Sequence, residues 1–246
     1  MDLENGQQIQ THILKSYVLR SGRISSAQKR SREALFPVFG IKGDEAGLLD
    51  FHLIFGNDKP VVVEIGFGMG TATAEIALKN PEINYVGIEV HRPGIGRLLW
   101  HIEKLSLKNI RIVEGNAVDV LKNRIKDNTV SAFHIFFPDP WPKKRHHKRR
   151  LITRPFTDLL AAKLKTGGYV YMASDWEDYG NWAMLELSAT PTLVNKYGVA
   201  EGSRGPDGSS RAFAERQSWR PETEFEKKGT KKNHKIWELF FEKQDN

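Results

Sequence analysis

Val61-Val-Val-Glu-Ile-Gly-Phe-Gly-Met-Gly70, running on into Thr71–Lys79, decides how this chain folds. Val61, Val62, Val63 and Ile65 are β-branched and favour a buried strand. Gly66, Gly68 and Gly70 then let the backbone turn tightly and come close to a ligand. Thr71–Lys79 carries its apolar residues at helical spacing. Strand, glycine turn and helix in that order place the turn at the carboxyl end of a strand. In open α/β sheets that is where ligands bind.

The pattern repeats outward from this unit. Asn84–Glu89 reads as a second strand, Gly94–Leu105 as a helix and Asn109–Val113 as a third strand. Val130–Phe137 is apolar apart from Ser131 and His134 and reads as a fourth strand. Thr153 suits a helix cap ahead of Pro155, with an apolar face through Leu164 and a stop at Gly167-Gly168. Tyr169–Ala173 is a fifth strand and Trp176–Leu187 a further helix. Strands alternating with helices predict an α/β fold with a mostly parallel central sheet and helices on both faces. Glu201–Ser210 reads as a mobile loop. Lys235–Glu242 is a late strand that can close the sheet as an antiparallel edge. Residues 1–35 are polar, basic in their second half, and read as a flexible arm, either an ordinary terminus or an RNA-binding one. Residues 36–246 form a single domain.

Composition narrows the functions available. The 246 residues carry 37 Lys/Arg against 30 Asp/Glu, a net charge of +7. That excess suits an anionic partner. The chain has no cysteine, which excludes disulfides, thiolate nucleophiles and Cys-ligated metal sites. No apolar run approaches the ~18 residues of a membrane span, and the first residues lack the pattern of a secretory signal. The expected location is the cytoplasm, with no membrane association, no metal site and no obligate protein partner.

The glycine turn also discriminates between ligands. A dinucleotide site wants Gly-x-Gly-x-x-Gly, with pyrophosphate on a helix N-terminus. Here the spacing is Gly-x-Gly-x-Gly, and Glu64 stands two residues before Gly66. A carboxylate there repels pyrophosphate and suits a cationic ligand such as S-adenosylmethionine, which bears an ammonium and a sulfonium. Glu89 ends the second strand, where an acid can take both hydroxyls of a ribose. Asn116, after the third strand, can pair with adenine or can equally serve as a turn or cap residue. The unit resembles the first motif of Rossmann-like class I methyltransferases.

Phe136-Phe-Pro-Asp-Pro-Trp-Pro-Lys-Lys-Arg-His-His-Lys-Arg-Arg150 follows the fourth strand. It sets Asp139 between two prolines and beside Trp141, at the cofactor end of the sheet. Taken alone, the cationic run beyond it is better explained by a solvated face. The Asp139-Pro140-Trp141 triplet partly resembles the Asn/Asp/Ser-Pro-Pro-aromatic motif of enzymes that methylate exocyclic amines. The longer string is similar to the signature of tRNA (guanine-N7)-methyltransferases. The resemblance extends to Glu64–Gly70, Gly87–His91, Ala173–Trp176 and Arg220-Pro-x-Thr-x-Phe-Glu226-x-x-Gly229, and covers residues 60 to 243. Asn116 departs from it, because bacterial members often have Asp there.

The resemblance implies methyl transfer from S-adenosylmethionine to N7 of guanosine 46 in the tRNA variable loop. It implies that Glu64, Gly66, Gly68, Gly70, Glu89, Asn116 and Asp139 surround the cofactor, with Asp139 catalytic. Lys143 and Asp175 then contact the substrate, and Thr223, Glu224, Phe225 and Glu226 form part of the guanosine pocket. Arg145, His146, His147, Lys148, Arg149 and Arg150 contact RNA phosphates.

Overall fold

In a computed structural model, residues 16–17, 24–198, 212–223, 226 and 235–245 are described. Helix α1 (Ser26–Phe39), strand β1 (Gly40–Lys42) and a short helix α2 (Phe51–Phe55) precede the glycine unit. That unit is β2 (Val61–Ile65), buried at every residue, followed by α3 (Thr71–Lys79). Next come β3 (Asn84–Glu89), α4 (Arg92–Lys104), β4 (Ile110–Glu114), α5 (Ala117–Arg124) and β5 (Val130–Phe136). After a 3-10 turn at Lys144–Arg149 the chain forms α6 (Arg154–Lys163), β6 (Leu164–Ser174), α7 (Glu177–Ser188), β7 (Leu193–Asn195) and β8 (Trp237–Lys243).

The strands lie in the order β1-β4-β3-β2-β5-β6-β8-β7. Neighbours from β1 to β6 are parallel, and β8 runs antiparallel to both β6 and β7. The chain winds outward from β2 in one direction through β3 and β4. It then returns to lay β5 on the other side of β2. This reversal makes the β2/β5 boundary a topological switch point, where the crossovers diverge and leave a crevice.

Two apolar layers sandwich the sheet. On one face Ala74, Ile76 and Ala77 of α3 pack with Ile95, Leu98, Leu99 and Ile102 of α4. On the other, Val120 and Leu121 of α5 meet Phe156 and Leu160 of α6 and Tyr179, Ala183 and Leu187 of α7. Among the described residues no helix is long and apolar enough to cross a membrane.

Several elements differ from their sequence reading. The expected arm boundary at residue 35 falls inside α1. Ser25 and Gln28 form a capping box that starts this helix, a signal legible in Ser-x-x-Gln. Leu35, Phe36 and Phe39 then attach it to the core. Of the rest of the expected arm, residues 1–15 and 18–23 lie outside the described residues, as does the Glu201–Ser210 loop. Thr153 is the N-cap of α6 but makes no side-chain capping bond. That helix ends at Lys163, before Gly167-Gly168, and the two glycines instead sit in a bulge of β6, with Gly167 at φ +74°.

Helix α1 lies against α4 at Gly96, where an added Cβ would stand 2.6 Å from the Gln28 carbonyl oxygen. Gly96→Val is expected to lift α1 and lower stability by about 1–3 kcal/mol. Urea denaturation checks this, and an unchanged midpoint would show that α1 is not seated there.

Candidate active site

The residues singled out from the sequence converge on one edge of the sheet. Glu64 with the glycine turn, Glu89 and Asn116 follow β2, β3 and β4, and Asp139 and Asp175 follow β5 and β6. Because these strands are parallel neighbours about 4.8 Å apart, all five groups lie at the same carboxyl-end edge of the sheet.

Glu89 holds the crevice floor. Its Oε2 accepts from the Gly68 N–H at 2.9 Å, and its Oε1 accepts from Val90 and His91 at 2.7 and 2.9 Å. One carboxylate thus ties the glycine turn to the start of α4. A carboxylate has about four acceptor sites, so room remains on Oε2 for a further donor such as a ribose hydroxyl. Gly66 and Gly68 have φ of +74° and +58°, and a Cβ added at either would meet nothing within 4 Å. The two positions face open space that a side chain would fill. Gly94 does the opposite job, since its Cβ would strike the Gly68 carbonyl oxygen at 1.9 Å. A glycine there lets α4 press against the turn.

Glu64 is only 3% exposed and sits between Gly87 and His134 in register. Burial raises its pKa to about 8, with Thr73 opposing the rise and the charge of Glu89 adding to it. Without a cation nearby it is mostly protonated at neutral pH. This sharpens the sequence reading, which took it as a standing carboxylate. His134 beside it is also buried, which lowers its pKa to about 3. It is therefore a neutral aromatic, stacked on Trp219 with ring centroids 4.5 Å apart.

A cavity of about 430 Å³ opens beyond β4, lined by Asn116, Glu114, Arg92, Arg32 and Lys42. Asn116 accepts from the Val118 N–H at 2.8 Å and caps α5, so the cap reading left open by the sequence is the one the fold uses. Arg32 and Lys42 were missed from the sequence because α1 and β1 were. Glu114 fixes two of these cations, accepting from Arg32 at 2.6 Å and from Arg92 at 2.9 Å.

Asp139 stands exposed on a turn bounded by two non-glycine residues in left-handed conformation, Phe137 at φ +51° and Trp141 at φ +46°. Such residues cost about 1–3 kcal/mol each and persist only where the surroundings impose them. The Phe137 N–H donates to Ala173 O at 2.8 Å. The Pro140 carbonyl accepts from Arg150 Nε at 3.0 Å, and Trp141 Nε1 donates to Ser16 O at 3.1 Å.

Lys143, Lys144, Arg145 and Lys148 are exposed, while His146, His147 and Arg149 are half-buried. The Arg149 guanidinium lies 4.8 Å over the Trp141 ring. Desolvation and the cations Arg145, Arg149, Lys143 and Lys148 hold the His146 pKa below its usual value. Arg150 breaks from the expected phosphate contacts. Its side chain has no exposed surface and pairs with Asp178, because it turns inward against α7.

The C-terminal motif also differs. Glu224 and Phe225 lie outside the described residues. Glu226, expected in the guanosine pocket, is 1% exposed and takes both Nη groups of Arg220, at 2.7 and 2.9 Å. Burial alone would raise its pKa, but Arg220, the Thr223 N–H and Arg216 outweigh that and hold it below the usual value. Thr223 Oγ1 in turn accepts from the Glu226 N–H at 3.1 Å. Glu226 therefore fastens the Thr223 loop rather than presenting its carboxylate. Arg220 also pairs with Glu238 of β8 and lies 5.9 Å over the Phe137 ring, which brings this loop against the Asp139 turn.

Fold and crevice together define a Rossmann-like class I methyltransferase. The known structure of the 16S rRNA methyltransferase KamB has the same fold at a TM-score of 0.57, with 12% identity over 83% of this chain and 99% of that one. Residues 58–239 match the family model described as "Putative methyltransferase". The tRNA (guanine-N(7)-)-methyltransferase of Nitrosospira multiformis is 44% identical over 94% of each chain. That of Neisseria meningitidis serogroup C is also 44% identical, over 94% of this chain and 91% of its own. The chain belongs to the tRNA (guanine-N(7)-)-methyltransferase family.

Removing one member of a buried ion cluster leaves the others uncompensated, at about 3–5 kcal/mol. Arg220→Ala should therefore destabilise the fold by that amount in chemical denaturation. A loss below ~1 kcal/mol would show that Glu226 is not held as an ion.

Proposed function

We propose that this enzyme transfers a methyl group from S-adenosylmethionine to N7 of guanosine 46 in the variable loop of tRNA, acting in the cytoplasm. The observation that carries the reading is the adjacency of two turns on neighbouring strands. The glycine turn leaves β2, and the Asp139 turn leaves β5 with a cationic run continuing from it.

The crevice suits the cofactor. Its open space beside Gly66 and Gly68 is backed by a buried carboxyl, and the cavity at Asn116 lies two strands away from Glu64. Glu64 would sit nearest the cationic end, Glu89 would take the ribose on its remaining acceptor site, and Asn116 would flank adenine. The bound cofactor supplies an electrophilic methyl group on a sulfonium.

The chain's own residues then need to align and stabilise. Guanine N7 has a lone pair at neutral pH, so no side chain has to remove a proton. The purine becomes cationic as the bond forms. A carboxylate fixed beside it stabilises charge present only in the transition state. Asp139 fills that role, on a turn whose strain keeps its position defined. Most of the remaining acceleration comes from holding nitrogen, methyl and sulfur in line. By family resemblance Lys143 and Asp175 contact the nucleotide. Lys143–Arg149 tracks the phosphates. If about five of these cations each contact one, log affinity falls with log salt at a slope of roughly −3.5 to −4.5.

Incubation with S-adenosylmethionine and bulk tRNA, followed by nucleoside mass analysis, should yield 7-methylguanosine mapped to position 46. N6-methyladenosine, or no modified base, would overturn the reading. Asp139→Asn should keep tRNA binding and lower turnover by about 10²–10³-fold. Near-wild-type turnover would remove Asp139 from the chemistry.

Glu64 gives the cofactor affinity a pH dependence. Its pKa is about 8 in the free chain, and a cation beside it would lower that value. Binding therefore releases a proton. Affinity rises with pH below about 8 and levels off above it, and Glu64→Gln flattens the profile. Calorimetry from pH 6 to 9 in buffers of different ionisation heat measures both effects. A flat wild-type profile without proton release would contradict the assignment.

A further inference from the structure

We propose that Arg150 is a positioning residue that sets the shape of the Asp139 turn, not one of the phosphate contacts. The inference rests on the methyl-transfer reading above. It concerns what holds the reacting geometry rather than what is transferred.

Arg150 ends the basic run, and its backbone N–H donates to His147 O at 2.9 Å to close the 3-10 turn. The six residues before it face outward wholly or in part, but its guanidinium is fully enclosed. The first turns of α7 build the enclosure. Asp178 accepts from Nη2, and the rings of Tyr179 and Trp182 each lie 5.1 Å from the guanidinium carbon. The same helix fixes the chain just beyond. Tyr179 Oη accepts from the Ile152 N–H at 3.2 Å, and Trp182 Nε1 donates to Ile152 O at 2.6 Å. Residues 150–152 are thus held to α7 at several points, and Arg150 is the one that reaches onward.

It reaches the Pro140 carbonyl, donating from Nε at 3.0 Å. That carbonyl belongs to the peptide joining Pro140 to Trp141. Its direction fixes ψ of Pro140 and φ of Trp141 together. Trp141 is one of the two residues at positive φ, at +46°, and Asp139 lies between them. An unsupported left-handed tryptophan relaxes toward negative φ, which would swing the Pro140 carbonyl and carry Asp139 with it. The Arg150 bond opposes that relaxation.

The geometry is specific to arginine. Nε serves the turn and Nη2 serves Asp178 from one rigid plane, while two aromatic rings bracket its face. A lysine offers one ammonium at the end of a flexible stem and cannot span both acceptors in that way. Arg150 Nη1 is buried without a hydrogen-bond partner among the described residues. Such a cost is tolerated at a site kept for shape. An arginine meant for solvent-facing phosphates would have no reason to carry it.

The test compares Arg150→Lys and Arg150→Ala with Lys148→Ala/Arg149→Ala. Single-turnover methylation is measured at saturating tRNA and S-adenosylmethionine, along with the salt dependence of tRNA binding and the melting temperature. The lysine variant keeps the charge. It should lose at least tenfold in single-turnover rate while its salt slope matches wild type. The alanine variant should lose more, again with the slope unchanged. The Lys148/Arg149 variant serves only as the reference for a lost phosphate contact, with a salt slope shallower by ~1–2. If Arg150→Ala does not fold, Arg150→Lys decides alone. A wild-type rate in the lysine variant, with or without a lowered melting temperature, overturns the proposal. So does a slope reduced by about one in the alanine variant. Wild-type enzyme is the control for the parent reading. If it makes no 7-methylguanosine, the function fails; if it does and the Arg150 variants behave otherwise, only the positioning role fails.

Discussion

The Glu89 carboxylate accepts three backbone N–H groups at 2.7–2.9 Å, and much of the site depends on that one constraint. The Gly66-Phe-Gly-Met-Gly70 turn puts all three of its glycines at positive φ, where backbone freedom is greatest and order least assured. Glu89 removes that freedom by fixing Gly68 from across the sheet. The same carboxylate fixes residues 90 and 91, and so sets where α4 begins. Gly94 then brings α4 into contact with the turn. Strand end, glycine turn and helix start become one rigid unit before any ligand arrives. Preorganisation of this kind spares the ordering cost on binding.

The Asp139 turn, which the proposed function sets opposite, is ordered by different means. The Asp139 turn has no glycine and takes positive φ at Phe137 and Trp141 instead. Its shape is imposed by contacts from β6, from Arg150 and from the Arg220 cluster. One wall is flexible backbone locked by a carboxylate, and the other is strained backbone braced by arginines. Charge follows the same division. Glu64 and His134 lie neutral under the floor. The cations are gathered on the outer rim at 143–149, where they remain solvated and cost little.

The parts legible in the sequence were those whose physics is local. The β-branched run at 61–65, the glycine spacing and the helical periodicity after Thr71 specify their elements without reference to the rest of the chain. Strand ends at Glu89 and near Asp139 followed from the same patterning, and the family motifs lay over them. What escaped depended on distant partners. Helix α1 buries its apolar side only because Gly96 leaves room for it, sixty-odd residues away. Arg150 looks like the last of a row of solvated cations, and only α7 shows that it turns inward. Glu226 was expected in the guanosine pocket, and only Arg220 and Glu238, placed by the fold, show that it fastens a loop. Asn116 had two readings in the sequence, and the fold uses the local one, capping α5.

The central claim is that the glycine turn and the Asp139 turn face each other across a single reaction crevice. A crystal structure of the full chain with S-adenosylhomocysteine tests it most directly. The account predicts the ligand along the ends of β2, β3 and β4, with its adenine beside Asn116 and its sulfur between the glycine turn and Asp139. A ligand bound elsewhere, or a sulfur pointing away from Asp139, would contradict it.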